Sequence, residues 1–391
     1  MNNIVKFEIK KFFKNKKNII SIIIYIFLIV AFIGYSSFIE SLLKTSEIDI
    51  HKENYLNSKK NYNTLKEILE DLKNKNELSN DKSYNKQIEE LSKEIDLYNE
   101  YYLTYEELIK SYEEKNIDKY LKLNLKRYEL DMEFIKLGYD GYNKDDIESE
   151  INLYTKLIEL KTIPIDVNWS LKGLNFIKNI FMYFNFIIVI FTIILFSDLF
   201  SGESKNKTYK ILLNQPISKS KIYFGKIIGG SISTLISILM PLIIFFGILS
   251  IFKGSGHFQY PIKIISDNSY NVVSMGMLIL KFLILIIALI IFTISLTAIF
   301  SIVFDSITLS MITPIGIYLF LENILFSAER SSEILNFFPI TITKVSSIIY
   351  DYDFKYKVVD LNFVFYFTII YSLVFLALGL IYFNKYKRFK V

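Results

Sequence analysis

The chain has 391 residues, of which 52% are apolar and 22% are charged, and its formal net charge is +5. It holds no cysteine, so disulfide bonds, thiolate nucleophiles and cysteine-based metal sites are excluded. The two histidines, His51 and His257, are far apart in sequence and are interpreted as ordinary surface residues, which argues against a zinc site or a Ser-His-Asp triad.

Residues 2–17 predict an amphipathic helix. One face carries apolar side chains and another carries lysines, namely Val5, Ile9, Phe12 and Phe13 on the first and Lys6, Lys10, Lys14 and Lys17 on the second. Such faces are typical of a helix that lies in a membrane interface among anionic headgroups. We therefore predict a cytoplasmic interfacial helix over residues 1–18. The alternative, the basic start of a signal peptide, is disfavoured because the next apolar run is too long and no A-x-A-like cleavage site follows.

Six apolar runs are long enough to cross a bilayer as helices, which need about 20 residues for roughly 30 Å of hydrocarbon. They are 19–39, 176–196, 227–251, a run from about 281 to 304, 307–326 and 362–383. Strands of a membrane barrel would be shorter and would alternate. The predicted fold class is an all-α membrane protein with six transmembrane helices, the first at 19–39 and the other five within 175–391.

Residues 40–174 have a different character. Counted from the sequence, residues 41–172 hold 21 Lys+Arg and 28 Asp+Glu, a net charge of −7, and apolar and tyrosine positions recur at helical spacing. Breaks fall at 74–81, at Asn116 and at 138–146, where Asn143 resembles an N-cap with an acidic first turn. We predict an extracellular domain of antiparallel helices, in which the tyrosines form a core rather than a binding surface. No basic patch indicates nucleic-acid binding.

Four positions in the later spans are candidates for a transport pathway or a gate. They are Pro241, Lys281, Pro314 and Glu322. A proline inside a span kinks the helix, and a charge near its outer end is costly in lipid. Lys281 either snorkels outward, with 272–280 as an interfacial turn, or faces substrate. The glycine-containing linker 253–268 is interpreted as an external loop.

The stretch 198–226 is polar and rich in lysine, and it joins two spans. Its characteristic residues are Asp198, Glu203, Thr208, Leu212, Leu213, Pro216, Ser218, Lys219 and Lys226. This set resembles the loop between the second and third spans of ABC-2-type (type V exporter) permeases. The pattern there is an acidic residue, Glu-x-x-x-Gly-Thr, a leucine pair, Pro-x-Ser-Arg and then a lysine. Lys207 departs from the glycine of that pattern, and Lys219 departs from its arginine.

The resemblance implies that 198–226 is a coupling loop on which a partner ATPase stands, with Glu203 as its polar anchor. It also implies that ATP and Mg bind the partner, that this chain binds no cofactor, and that two permeases pair as a homodimer or heterodimer. The first helix resembles the elbow helix of the family, and the external segment 328–360 resembles its re-entrant helices. The alternative is a basic cytoplasmic loop that merely anchors two spans.

Charge asymmetry predicts the orientation. The first 17 residues carry six lysines against one glutamate, and the C-terminal tail carries four basic residues, Lys385, Lys387, Arg388 and Lys390. Together with 198–226, these segments fall on one side of an even number of spans, and the positive-inside rule makes that side the cytoplasm. We expect a multi-pass protein of a bacterial cell membrane with both termini in the cytoplasm.

No Walker A motif is present, so the chain is not expected to be an enzyme or to hydrolyse ATP itself. The predicted function is the membrane-spanning permease subunit of an ABC exporter, with an ATPase subunit, a second permease and the lipid bilayer as partners. Few charges lie inside the spans, which argues against a dedicated ion site. The alternative is a membrane-anchored peptide sensor or immunity protein whose external domain binds a ligand without transport.

Overall fold

The computed structural model describes residues 1–79, 82–139, 141, 143–162, 164, 169–209, 211, 216–266, 269–327, 332–349 and 359–385. The helices within these ranges are α1 (Asn2–Lys14), α2 (Lys16–Ser79), α3 (Lys82–Glu113), α4 (Ile117–Lys136), α5 (Lys144–Leu160), α6 (Gly173–Tyr183), α7 (Asn185–Phe196), α8 (Asp198–Lys205), α9 (Lys219–Lys253), α10 (Met275–Val303), α11 (Ile307–Ser327), α12 (Val345–Ile349) and α13 (Leu361–Lys385). Two 3₁₀ helices, Ser332–Phe337 and Pro339–Lys344, precede α12, and strands β1 (Pro261–Ser266) and β2 (Ser269–Ser274) follow α9.

Contacts divide the chain into two units. The first comprises Met1–Tyr35, Leu171–His257 and Gly276–Val391, and the second comprises Ser36–Ser170 and Phe258–Met275. Helix α2 begins in the first unit and continues into the second as one helix of 64 residues. Its sequence holds no proline and no glycine after Gly34, so no residue in it ends the helix where the sequence predicted the end of span 1.

The first unit contains most of each candidate membrane helix. Six helical segments in the described part of the chain are long and apolar enough to cross a membrane: Lys16–Leu42, Asn185–Lys205, Lys219–Lys253, Met275–Val303, Ile307–Leu325 and Leu361–Lys385. The described residues therefore contain the six long apolar helices that the predicted helical membrane fold requires.

The predicted second span, 176–196, is not a single helix. Helices α6 and α7 meet at Phe184, whose backbone leaves the helical region with φ −98° and ψ 3°. Buried polar residues, among them Lys178, lower the apolar character of α6, so the candidate span begins after the break and runs through α8. The fully buried Asn185 at the break donates a hydrogen bond to the Ile342 carbonyl at 3.0 Å.

The second unit contains the predicted helical domain. Its helices break near the predicted positions, and Asn143 has the predicted N-cap chemistry, which Asn116, predicted only as a break, shares. The Asn116 side chain accepts a hydrogen bond from the Lys119 N–H, and the Asn143 side chain accepts from the N–H groups of Asp145 and Asp146. Both asparagines are N-caps, which satisfy backbone donors that the first turn of a helix leaves open.

Tyrosines line the interior of this unit, as their spacing predicted. Tyr105 and Tyr120 are buried, and their ring centroids each lie 6.1 Å from that of His51. The prediction of a surface position for His51 is wrong, because this histidine is buried and its Nε2 lies 3.2 Å from the Tyr120 hydroxyl. Burial and the nearby Arg127 lower the pKa of His51 to about 4, so it is neutral at physiological pH. His257 is exposed, as predicted.

A β-hairpin replaces part of the predicted external loop and interfacial turn. β1 and β2 pair antiparallel from Pro261↔Ser274 to Ser266↔Ser269, and α10 begins at once at Met275. The all-α expectation is therefore wrong for this segment. Lys263 ties the hairpin to α5 through ion pairs with Asp146 and with Glu150, the latter at 2.9 Å. Burial alone would lower the pKa of Lys263, but the bonds to these carboxylates raise it.

Candidate functional site

The predicted coupling stretch consists of α8, a turn after it, and the start of α9. Asp198 opens α8, and Glu203 lies one turn later on its buried face. Residues 206–208 form an exposed turn, and Ser218 is the N-cap of α9. Lys226 lies two turns into α9. The described part of the stretch is therefore a short helix, an exposed turn and the start of a long apolar helix. We call the exposed residues 205–208 and 211 the tip.

Lys226 binds carboxylates from two other helices. Its ammonium Nζ donates to Glu203 Oε1 at 2.6 Å and to Glu8 Oε1 at 2.8 Å. The side chains of Lys226 and Glu8 are 0% and 2% exposed, and that of Glu203 is 10% exposed. The Lys226 ammonium also lies 5.5 Å from the centre of the Phe200 ring. One buried lysine thus connects α1, α8 and α9.

Lys11 of α1 adds a second cation to the same carboxylates. Its Nζ lies 2.8 Å from Glu203 Oε1 and 3.7 Å from Glu8 Oε2. We call Glu8, Lys11, Glu203 and Lys226 the Lys226 cluster. It has two carboxylates and two ammonium groups, so its formal charge is zero. Neutrality matters here because an unpaired charge without water is costly.

A further ion pair joins the start of α2 to the start of α8. Lys17 Nζ lies 2.9 Å from Asp198 Oδ1 and donates to the Ile194 carbonyl at 2.6 Å. Asn15, the residue between α1 and α2, donates to the other oxygen of Asp198. The bend between the first two helices is thereby fixed to the junction of α7 and α8.

Glycines allow α1 to lie against α9 at short range. A Cβ atom at Gly225 would lie 2.8 Å from Ile4 Cγ2, and one at Gly229 would lie 2.8 Å from Glu8 Cβ and 3.1 Å from the Val5 carbonyl oxygen. Real side chains do not pack that closely, so any larger residue at these two positions would force α1 or α9 to shift. The close approach brings Glu8 within reach of Lys226.

The tip after α8 is exposed and has a defined turn. The Thr208 N–H donates to the Glu203 carbonyl at 3.0 Å, and the Lys207 N–H donates to the Ser204 carbonyl at 3.1 Å. These two bonds form a Schellman motif, in which the residue after the cap adopts a left-handed backbone, usually as glycine. Lys207 has that backbone with φ 57°. The family pattern has glycine at this place, so the structure gives a physical reason for it.

The predicted site residues fall into an inner and an outer group. Glu203 and Lys226 are buried in the cluster, whereas Asp198 and Lys219 are half-buried. Thr208, Pro216 and Ser218 are exposed, as is Ile211 at 69%. Leu212 and Leu213 lie outside the described residues. Glu203 therefore makes its contacts inside the chain, and its predicted contact with a partner stays a prediction.

The predicted pathway residues do not lie together with this site. Lys281 is exposed on α10, and Pro241 and Pro314 are buried inside α9 and α11. Glu322 forms an ion pair with Lys344 at 2.6 Å. Their roles in a pathway remain predictions.

Part of the predicted re-entrant segment 328–360 can be described, namely 332–349 and 359–360. Its buried residues run from Pro339 to Thr343. Two polar contacts join it to other helices of the unit: Asn185 donates to the Ile342 carbonyl, and Lys344 forms an ion pair with Glu322 at 2.6 Å. Within the segment, the Asp360 N–H donates to Asn336 Oδ1 at 2.8 Å. Residues 328–331 and 350–358 lie outside the described part of the chain.

Sequence reasoning missed Glu8, Lys11, Asn15 and Lys17 as members of the site. One signal was present, since Ile4, Glu8 and Phe12 are spaced by four and share a helix face. A lone acid among lysines on an apolar face indicates a buried cationic partner. Among the described residues no group of three His, Asp or Glu side chains could hold a metal ion.

Comparison with known families gives one match, and it covers nearly the whole chain. The family model described as "ABC-2 family transporter protein" matches residues 2–388. No curated protein and no solved structure matches the chain.

Proposed function

Because the chain belongs to the ABC-2 family of transporter proteins, we propose that it is the permease subunit of an ABC exporter and moves substrate outward with ATP hydrolysed by a separate ATPase subunit. The family makes the chain a membrane component of such a transporter.

The observation that carries the proposal is the Lys226 cluster beneath an exposed tip. Buried ion pairs add little to stability, because desolvation offsets most of their attraction, but they can fix one arrangement of helices. Here they fix α8 to α1 and α9 through Glu8, Glu203 and Lys226. A force applied at the tip would therefore move three helices together, which a simple anchoring loop does not require.

The tip has the chemistry of a protein contact. It presents Lys205, Lys207 and Thr208 beside the exposed apolar side chain of Ile211. An apolar residue exposed among polar ones gains free energy when a partner covers it. We place the ATPase at this tip, with ATP and Mg on the ATPase.

Transport then follows from a change between two states. ATP binding would draw the ATPase subunits together, and the tips would bias their permeases between inward-facing and outward-facing arrangements. Two permeases, alike or different, would form the pathway in a bacterial cell membrane, with both termini in the cytoplasm. The charge asymmetry of the chain supports that orientation.

Copurification tests the ATPase contact. Ile211→Asp places a charge where an apolar contact is proposed, so recovery of the ATPase with a tagged permease should fall by roughly tenfold or more. Phe258→Asp is the matched control, since Phe258 is also exposed, at 65%, and lies in the segment proposed to be external. It should leave recovery unchanged. Equal recovery with both variants would remove the tip from the interface.

A further inference from the structure

The lysines of the first 17 residues fall into two groups. Lys11 and Lys17 make internal ion pairs with Glu203 and Asp198. Lys6, Lys10, Lys14 and Lys16 are exposed, and none of them makes an ion pair with another residue of the described part of the chain. The structure therefore separates cations that hold the fold from cations that face outward.

Three of these four exposed lysines, Lys6, Lys10 and Lys14, form one stripe on α1, whereas Lys16 is the first residue of α2. At about 100° per residue, Lys6, Lys10 and Lys14 span an arc of about 80°, and its centre lies opposite the face that packs on α9. That packed face carries Ile4, Glu8 and Phe12. Large apolar side chains flank the stripe on both sides, since Phe7 is 59% and Phe13 is 39% exposed. We call Lys6, Phe7, Lys10, Phe13 and Lys14 the lysine stripe.

The position of the stripe in the chain points to a lipid partner. Helix α1 ends at Lys14, and the first candidate span begins at Lys16, so the stripe ends within two residues of a membrane helix. Aromatic rings beside lysines are typical of the headgroup region, where a ring contacts acyl chains and an ammonium contacts phosphate. An acidic protein surface would complement the lysines but would not require two exposed phenylalanines.

We propose that the lysine stripe binds the phosphate groups of anionic phospholipids. The three ammonium groups supply the charge, and Phe7 and Phe13 hold the helix at the depth of the headgroups. Since Glu8 lies on the opposite face of the same helix and binds Lys226, bound lipid would also hold α1 against α9. Lipid binding itself does not depend on the ATPase contact proposed above.

The test uses the full chain, whose lack of cysteine permits a unique label. A fluorophore on Asn3→Cys, on the exposed side of α1, reports nearby lipid in vesicles of phosphatidylcholine with a minor fraction of phosphatidylglycerol. Spin-labelled phosphatidylglycerol should quench it more than spin-labelled phosphatidylcholine at the same mole fraction. Each lysine near an anionic surface contributes roughly a fivefold preference, and salt should weaken it.

The decisive variant is the triple substitution Lys6→Gln, Lys10→Gln and Lys14→Gln. Quenching by the two lipids should become nearly equal, whereas the same three positions changed to arginine should keep the preference. The control Lys205→Gln, Lys207→Gln and Lys221→Gln removes the same charge from other exposed positions and should also keep it. All variants should elute as the parent does on size exclusion, because the lysines are exposed.

Two results would overturn the proposal. One is equal quenching by both lipids in the parent, and the other is an unchanged lipid preference in the glutamine triple. If that triple also failed to copurify with the ATPase in a separate assay, the lysine stripe would be assigned to a protein partner. The vesicles contain no ATPase, so the quenching measured here does not depend on whether the proposed ATPase contact is correct.

Discussion

At Lys226 one ammonium group meets carboxylates from two helices, 23 and 218 residues away in sequence. All three side chains are nearly or fully inaccessible to water. Removing such charges from water costs several kcal/mol each, and their mutual attraction offsets this only while the set is complete. Each of these three buried charges is therefore stable in the interior only while the other two are present.

Replacing Lys226 tests that dependence. Lys226→Met keeps most of the length of the side chain but leaves Glu8 and Glu203 facing each other without a buried cation, so stability should fall by about 3–5 kcal/mol. The measurement is thermal unfolding of the full chain in detergent.

Two further variants make this result specific. Lys11→Met should cost clearly less, because its side chain is 41% exposed and water can replace its contacts. Adding Glu8→Gln and Glu203→Gln to Lys226→Met removes all buried charge and should recover part of the loss. A Lys226→Met protein as stable as the Lys11→Met protein would contradict the buried cluster.

The sequence indicated Glu203 and Lys226 as site residues but did not indicate that both meet Glu8 of α1. Glu203 and Lys226 were found through their order in 198–226, and Lys207 was recognised as a departure from glycine. Their pairing with Glu8 depends on α1 lying against α9, which is decided by tertiary packing. Local spacing contains no information on contacts between residues 218 positions apart.

Among the elements, helix ends set by side-chain caps were the most predictable. Asn143 was predicted as an N-cap from the acidic residues of the turn that follows it, and Asn116 was predicted as a break, because both features are local in sequence. The hairpin was missed because its second strand runs straight into an apolar helix at Met275, so the two read as one apolar run. Its stability also depends on Lys263 meeting carboxylates of α5, more than a hundred residues earlier.

The packing of α1 on α9 predicts unequal effects for two glycines of the same helix. Gly229→Ala should push α1 away, because its Cβ would lie 2.8 Å from Glu8 Cβ, and such overpacking costs about 1–3 kcal/mol. Gly247→Ala meets no atom within 4 Å and should be neutral or slightly stabilising, since alanine favours a helix. Thermal unfolding measures both.

Hydrogen exchange shows which helix is loosened by the substitution at Gly229. With Gly229→Ala, amides of α1 should exchange faster than in the parent, while those of α4 and α5 in the other unit should not change. Equal unfolding temperatures for the Gly229→Ala and Gly247→Ala proteins would argue against close packing at Gly229.

At the scale of the whole molecule, the number of spans followed from length and apolarity alone, because crossing a bilayer requires long apolar helices. The division into units did not follow. The unit that holds α3, α4 and α5 also includes 258–275, a segment that the sequence placed in a linker between spans. The unit to which a segment belongs depends on tertiary contacts such as that of Lys263 with Glu150, and a sequence pattern does not show such contacts.

The orientation of the chain yields the last prediction, which uses single cysteines in the cysteine-free background. Basic segments stay in the cytoplasm, so the tip after α8 should be inside and the helical domain outside. Lys144→Cys, one residue after the Asn143 cap and 63% exposed, should react with an impermeant maleimide in intact cells. Asn206→Cys, at the exposed tip, should react only after the cells are permeabilised, which also shows that it is accessible. Labelling of Asn206→Cys in sealed cells would reverse the orientation and would place the tip beyond the reach of any cytoplasmic ATPase.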